Sequence, residues 1–305
     1  MRPLLLLLLM LPQLLQAQKS EFFEAHGNVL HYRTFGTGEP LLIINGGPGM
    51  SSEGFADLAR QLAKDRQTII YDQRGTGLSK MTKIDASTMS MEFLVQDLES
   101  LRKHLGLEEW TILGHSFGGM LAYAYAAKHP ERVKIMIQSS SGGMDLSLLS
   151  QLNLSAALTP MEQDSLQFYR EKIRNGETSE ENVLKRAKFL APAYVYDRKH
   201  IPIVAERLTQ GNSLINSLIW EDLQQNHFDV KSQMSTFKKP VLIIHGKEDV
   251  VGLEIPKKAH QILPNSKLVI LPKTRHYGWL DAKEKYFEAV SEFLTEWDSV
   301  KAAGF

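Results

Sequence analysis

Apolar residues along the chain follow two different periods, and the alternation between them predicts the elements. Residues 40–44, 68–71, 110–113, 133–137, 240–244 and 267–271 form short, almost unbroken apolar runs rich in isoleucine, leucine and valine. Uninterrupted runs of this length suit strands covered on both faces, as in a parallel sheet. Ahead of them, Glu21–Ala25 and Val29–Arg33 flank a Gly27-Asn28 turn, which predicts a β-hairpin. Between the runs the period lengthens. Residues 54–64 read as a helix, and Met91, Leu94, Leu98, Leu101 and Leu105 fall on one helical face that stops before Gly106. Phe287, Val290, Leu294 and Trp297 do the same near the end of the chain. Strand followed by helix, repeated, predicts an α/β fold: a mainly parallel sheet flanked by helices, with ligands bound outside the carboxyl ends of the strands.

Two segments depart from that rhythm. From Gly142 to about Ser235 the strand signal disappears and amphipathic stretches take over, opened by helix-start signals such as Thr159-Pro160-Met161-Glu162 and Ser179-Glu180-Glu181. A helical cap over 142–235 is therefore expected, inserted between a first core part, 18–141, and a second, 236–305. At the other extreme, Met1-Arg2 precedes an apolar block from Leu4 to Leu15 and then Gln16-Ala17-Gln18. This reads as a signal peptide, 1–17, cleaved after Ala17, because the block is too short to span a bilayer. An exported protein, periplasmic or secreted, without a stable membrane span after removal of the leader, is the expectation.

Composition narrows the partners. Thirty-five basic residues balance thirty-five acidic ones, so charge gives no reason to expect nucleic acid, and a small molecule is the expected partner. The chain has no cysteine, which excludes disulfides and a lipid-modified N-terminal cysteine. Its histidines lack ligand spacing and its glycine loops lack a phosphate-binding lysine, so neither a metal nor any other cofactor is expected. Nothing in the sequence bears on the number of subunits.

The chemistry gathers where strands end. Trp110-Thr111-Ile112-Leu113 runs into Gly114-His115-Ser116-Phe117-Gly118-Gly119 and then an alanine-rich helical stretch. A strand turning sharply into a helix with serine at the apex is a nucleophile elbow. The strand ending at Ile44 leads into Asn45-Gly46-Gly47-Pro48-Gly49, whose Gly47 N–H would join that of Phe117 as an oxyanion donor. A serine hydroxyl needs an imidazole to take its proton and a carboxylate to orient the imidazole. Only Glu248 and Asp249 follow the strand ending at Ile244, and only His276 follows the last strand, so Ser116, Asp249 and His276 are the candidate triad, with Glu248 the substitute acid. Asp72 and Arg74, in Asp72-Gln73-Arg74-Gly75-Thr76-Gly77, are expected to form an ion pair that pins a tight turn.

Glycine-rich loop, Asp-Gln-Arg-Gly-x-Gly turn, elbow and late acid and histidine together resemble the α/β-hydrolase superfamily. Within it, Gly46-Gly47-Pro48-Gly49 with Tyr71 to Ser79 is similar to the proline iminopeptidases, including the tricorn-interacting aminopeptidases. The resemblance covers essentially the whole chain after the leader, and it implies a serine peptidase that releases N-terminal proline through an acyl-enzyme. It also implies cap carboxylates that pair with the substrate's ammonium group. Glu206 and Glu221 are the preferred candidates because each sits among apolar residues in sequence, with Trp220, Tyr194 and Tyr196 as candidate pocket walls. A carboxylesterase or other acyl hydrolase with the same triad is the alternative, and a non-catalytic binding protein on the same scaffold is the second.

Overall fold

The computed structural model describes residues 18–302, and the leader expected over residues 1–17 lies outside the described residues. Eight strands form one sheet: β1 (Lys19–Ala25), β2 (Asn28–Phe35), β3 (Glu39–Ile44), β4 (Arg66–Tyr71), β5 (Trp110–His115), β6 (Val133–Ser139), β7 (Val241–Gly246) and β8 (Ser266–Leu271). They lie side by side in the order β1-β2-β4-β3-β5-β6-β7-β8. β1 and β2 pair antiparallel, β2 is antiparallel to β4, and every later pairing is parallel. The hairpin forms where expected, with its turn one residue earlier: Ala25 pairs with Asn28, so His26 and Gly27 are the central residues. Both have positive φ, 50° and 74°, as the turn that matches strand twist requires.

The unbroken apolar runs of β3 to β7 are explained by a core on each face, whereas β8, at the edge of the sheet, is mostly half-buried. Successive residues of a strand point to opposite sides. Accordingly Leu42, Ile44, Ile69 and Ile112 join one cluster, while Leu41, Ile43, Ile70 and Leu113 join the other. The helices that close these faces are α1 (Ala56–Leu62), α2 (Met91–His104), α3 (Phe117–Lys128), α10 (Glu254–Ile262) and α12 (Lys283–Ala302). α2 and α3 pack on the first side and α12 on the second. Gly106 takes φ 66° just past α2, the left-handed conformation expected of a residue beyond a helix end.

Between β6 and β7 the described chain is helical: α4 (Leu148–Gln151), α5 (Pro160–Arg174), α6 (Glu180–Leu190), α7 (Ile201–Leu208), α8 (Ser213–Gln225) and α9 (Lys231–Met234). The capping box of α5 is complete. Thr159 accepts from the Glu162 N–H, and the Glu162 carboxylate accepts from the Thr159 N–H. Ser179 likewise caps α6 by accepting from the Asn182 N–H. The short α11 (Gly278–Asp281) follows β8. Among the described residues, no helix is long and apolar enough to cross a membrane.

One expected contact is corrected. Arg74 does not pair with Asp72. It forms a two-pronged bond with Asp97 of α2, Nε to Oδ2 at 2.7 Å and Nη2 to Oδ1 at 2.6 Å, with both side chains buried. The planar fork of the guanidinium needs both carboxylate oxygens facing it, and an acid arriving on the adjacent helix offers them. Asp72 faces the opposite way, accepting from the His31 Nδ1–H at 2.9 Å, from Ser52 at 2.8 Å and from the Leu78 N–H at 2.9 Å. The turn is therefore pinned by two separate carboxylates.

Candidate active site

Ser116 stands between β5 and α3 with φ 56° and ψ −121°, outside the conformations an ordinary residue adopts. Such strain persists only where the surroundings over-determine it, and here the packing does so. A Cβ on Gly118 would come within 2.2 Å of the Ile44 carbonyl oxygen, and one on Gly46 within 2.6 Å of the Ser116 Cβ. Glycine at both positions lets the β3 loop lie directly against the elbow. The Ser116 N–H donates to the Ser139 carbonyl at 3.1 Å, and its own carbonyl accepts from the Gly142 N–H at 3.0 Å. The backbone is thus tied on both sides, and the half-buried side chain is held at the apex.

His276 and Asp249 come together at the rim formed by the ends of β7 and β8. Nδ1 of His276 lies 2.8 Å from Oδ1 of Asp249. An ionised carboxylate can only accept, so Nδ1 carries the proton and Nε2 keeps its lone pair. Burial alone would push the Asp249 carboxyl up, but the facing His276 and His245 rings, with the Val251 N–H, hold it below the usual carboxylate range. It remains the anion. Glu248 is excluded from the pair because its carboxylate accepts from the Thr274 N–H at 3.0 Å, bracing the loop before His276. The His276 N–H donates to the Tyr194 carbonyl at 3.0 Å, so the helical segment also holds this loop. The His276 ring packs on the ring of His115, the neighbour of Ser116, with centroids 4.6 Å apart.

Among the described residues, the N–H groups of Gly47 and Phe117 have no protein acceptor. Phe117 is the first residue of α3, where a helix leaves its N–H groups unspent. Two free donors, a half-buried hydroxyl at the apex of the elbow and an imidazole paired with a carboxylate are the groups that acyl transfer needs.

The family model described as "alpha/beta hydrolase fold" matches residues 39–283. The chain belongs to the α/β-hydrolase fold family. A proline iminopeptidase of Heyndrickxia coagulans is 28% identical over 284 residues, covering 90% of this chain and 97% of that protein. Among solved structures, an α/β fold family hydrolase from Bacillus anthracis has a TM-score of 0.75 at 20% identity, covering 90% of this chain and 99% of the other. The proline iminopeptidase of Mycobacterium smegmatis has a TM-score of 0.71 at 21% identity, covering 93% and 100%. This α/β hydrolase is a serine hydrolase that resembles the proline iminopeptidases.

The hydrolase's other expected residues fare unequally. Trp220 of α8 meets the ring of Phe117 edge-on at 6.3 Å, and Tyr194 lies 5.4 Å from the His276 ring. Trp220 therefore borders the elbow and Tyr194 the imidazole. Tyr196 is 44% exposed, and its N–H is spent on Asp281. Glu206 and Glu221 are exposed, because each falls on the outer side of its helix despite apolar neighbours in sequence. Residues i and i+1 on a helix do not share a face, so flanking apolar residues say nothing about a carboxylate's own burial.

Sequence reasoning missed Arg207, His115 and His245, all buried near the site. It also missed a second chain of the same residue types. Ser20 Oγ lies 2.8 Å from Nε2 of His31, whose Nδ1–H donates to Asp72. That chain differs from the first in its setting: Ser20 is an exposed residue within a strand and not at a strand-to-helix turn, and the Leu78 N–H is spent on Asp72. It ties the first strand to the sheet.

The two buried histidines make stability pH-dependent. Burial, then the neighbouring His276 ring and the Arg207 guanidinium, hold His115 well below the ordinary imidazole value, and burial also lowers His245. The unfolded chain binds protons at these rings near pH 6.5 while the folded protein does not, so acid favours unfolding. Unfolding free energy is expected to fall as pH drops below about 6.5, by up to about 1.4 kcal/mol per pH unit for each ring, until the folded values are reached. Urea titrations between pH 7 and 5 of the parent and His245→Gln measure this; the variant should show the shallower slope, and identical slopes would contradict it.

Proposed function

We propose that this protein is an aminopeptidase that releases N-terminal proline, or another small residue, from short peptides. The pairing of His276 with Asp249 at 2.8 Å, beside a strained Ser116 and two unspent amides, carries the reading. Ser116 Oγ attacks the scissile carbonyl carbon while Nε2 of His276 takes the hydroxyl proton. Charge gathers on the carbonyl oxygen, where the N–H groups of Gly47 and Phe117 receive it. The carbon–nitrogen bond then breaks as His276 returns the proton to the leaving amine. Water, deprotonated by the same imidazole, hydrolyses the ester on Ser116. Trp220 and Phe117 form an apolar corner beside the elbow that suits a proline ring. Similarity to proline iminopeptidases over nearly their whole length supports the substrate class. The apolar block of residues 4–15 supports an exported enzyme.

A carboxylesterase is the second reading, and one observation favours it. Glu206 and Glu221 are exposed, and Asp222 is spent on the Met91 N–H and the Asn226 amide, so recognition of a substrate ammonium has no buried carboxylate among these three. Kinetics on a proline arylamide with a free imino group, and on its N-acetylated form, separate the two. Acetylation removes a charged hydrogen-bond partner worth about 1.5–3 kcal/mol, so kcat/KM is expected to fall about 10- to 100-fold. Equal turnover of the two forms, with faster turnover of short-chain esters, gives the esterase.

A further inference from the structure

The loop that carries the Gly47 N–H is held from outside the sheet. Four of its hydrogen bonds reach the corner where α7 passes into α8, and one, from the Gln73 side-chain amide to the Asn45 carbonyl at 3.0 Å, comes from the turn after β4. Nη2 of Arg207 donates to the Gly46 carbonyl at 3.0 Å, the Asn216 side-chain amide to the Pro48 carbonyl at 3.1 Å, and the Asn212 N–H to the Gly49 carbonyl at 2.9 Å. Ser51 Oγ donates back to Gln210 at 3.1 Å. The loop's own contacts are fewer: Asn45 donates to the Gly46 and Met50 carbonyls at 3.3 and 3.0 Å, and the Met50 N–H to the Gly47 carbonyl at 3.0 Å.

Arg207 is the unusual member. It is 5% exposed, yet no carboxylate pairs with it among the described residues. Its guanidinium lies over the Phe55 ring at 4.7 Å and near the Tyr277 ring at 5.8 Å, and Nη1 approaches the Met50 sulfur at 3.1 Å. A buried cation is costly unless its donors are used, and here the strongest acceptor it finds is a backbone carbonyl. That carbonyl has a consequence for catalysis. The peptide joining Gly46 to Gly47 is planar and trans, so its C=O and N–H point in opposite directions. Fixing the first fixes the second. A charged donor on the oxygen also polarises the amide and makes its N–H a better donor. The same peptide lies against Ser116, since a Cβ on Gly46 would come within 2.6 Å of the serine Cβ.

We infer that Arg207 is a positioning residue of the reaction: from the α7–α8 corner it orients and polarises the Gly46–Gly47 peptide, so that the oxyanion donor is set in part by the helical segment. This rests on the assignment of Gly47 as an oxyanion donor in the proposed mechanism. Because a polarised N–H is used fully only when negative charge has developed, the effect belongs to the transition state. Arg207→Met keeps the apolar stem over Gly54 and Phe55 and removes the donors; Arg207→Lys keeps the charge and loses the fork.

The test compares kcat, KM and the inhibition constant of a substrate-like boronic acid, which forms a tetrahedral anion on the nucleophile. Arg207→Met is expected to lower kcat about 100-fold with KM within about threefold, and to weaken the boronate in step with kcat/KM. Arg207→Lys should fall between it and the parent. A purely structural role would lower the amount of folded protein without changing boronate affinity relative to substrate in the fraction that folds. Should Arg207→Met not fold, Arg207→Lys carries the comparison alone. A folded variant with parental kcat and boronate affinity, alongside an inactive Ser116→Ala, overturns the inference while sparing the mechanism. Parental activity in Ser116→Ala would remove the mechanism itself.

Discussion

Replacing Ser116 with alanine is expected to lower kcat by about 10⁶-fold on any acyl substrate. In the proposed mechanism Ser116 supplies the attacking hydroxyl, and alanine removes it. Alanine retains the Cβ that packs against Gly46, so the close approach of the β3 loop is preserved. The positive φ of 56° is unfavourable for serine and alanine alike, so strain does not distinguish them. Folding should therefore be nearly unchanged, and near-UV circular dichroism with a thermal melt will verify this. Residual activity above the uncatalysed rate would come from the Gly47 and Phe117 donors and from substrate binding. Ser20→Ala is the control, because Ser20 belongs to the other serine–histidine–aspartate chain. It should leave kcat within about twofold of the parent, as a surface substitution remote from the reacting atoms. A Ser116→Ala protein retaining more than a tenth of parental turnover, or a Ser20→Ala protein losing its turnover, would transfer the chemistry elsewhere.

Asp249→Asn is expected to cost about 10⁴-fold in kcat while KM moves little. The carboxylate accepts the Nδ1–H of His276 and so leaves Nε2 unprotonated, as the proposed mechanism requires. An amide can present its own N–H at the same place, and the imidazole then takes the opposite tautomer, with a proton where a lone pair is required. The charge that steadies the imidazolium also disappears. Glu248→Gln offers the matching comparison: Glu248 braces the Thr274 N–H from 3.0 Å and faces no imidazole, so a loss of less than about tenfold is expected. If Glu248→Gln proved the more damaging of the two, the roles of the neighbouring acids would have to be exchanged.

Much of the architecture was legible because it depends on local patterns. Continuous apolar runs gave the strands of the parallel part, and the two-sided core explains why they do not alternate. The caps at Thr159 and Ser179 are satisfied within three residues of themselves, so a short window contains all their physics. The serine at the apex, the acid after β7 and the histidine after β8 were readable for a related reason: connections in this architecture return each strand's carboxyl end to the same rim. Order along the chain then stands in for proximity.

Pairing between distant side chains followed no such rule. Asp72 and Arg74 are two residues apart and were expected to meet, yet each found its partner elsewhere, Asp72 on β2 and Arg74 on α2. Glu206 and Glu221 looked buried by their neighbours and are exposed, because a helix rotates about 100° per residue and adjacent side chains face different ways. Arg207 carried no sequence signal, since one arginine in an amphipathic helix ordinarily faces water.

The amino-acid sequence by itself determined the sheet, the helices that cover it and the elbow, because periodicity, capping and turn chemistry act over a few residues. Only the tertiary structure decided which acid holds His276, where the arginines are spent, and that the corner between α7 and α8 grips the loop beside Ser116. Those choices depend on side chains that meet across more than a hundred residues of chain in some cases, and no local pattern encodes which buried charge finds which partner.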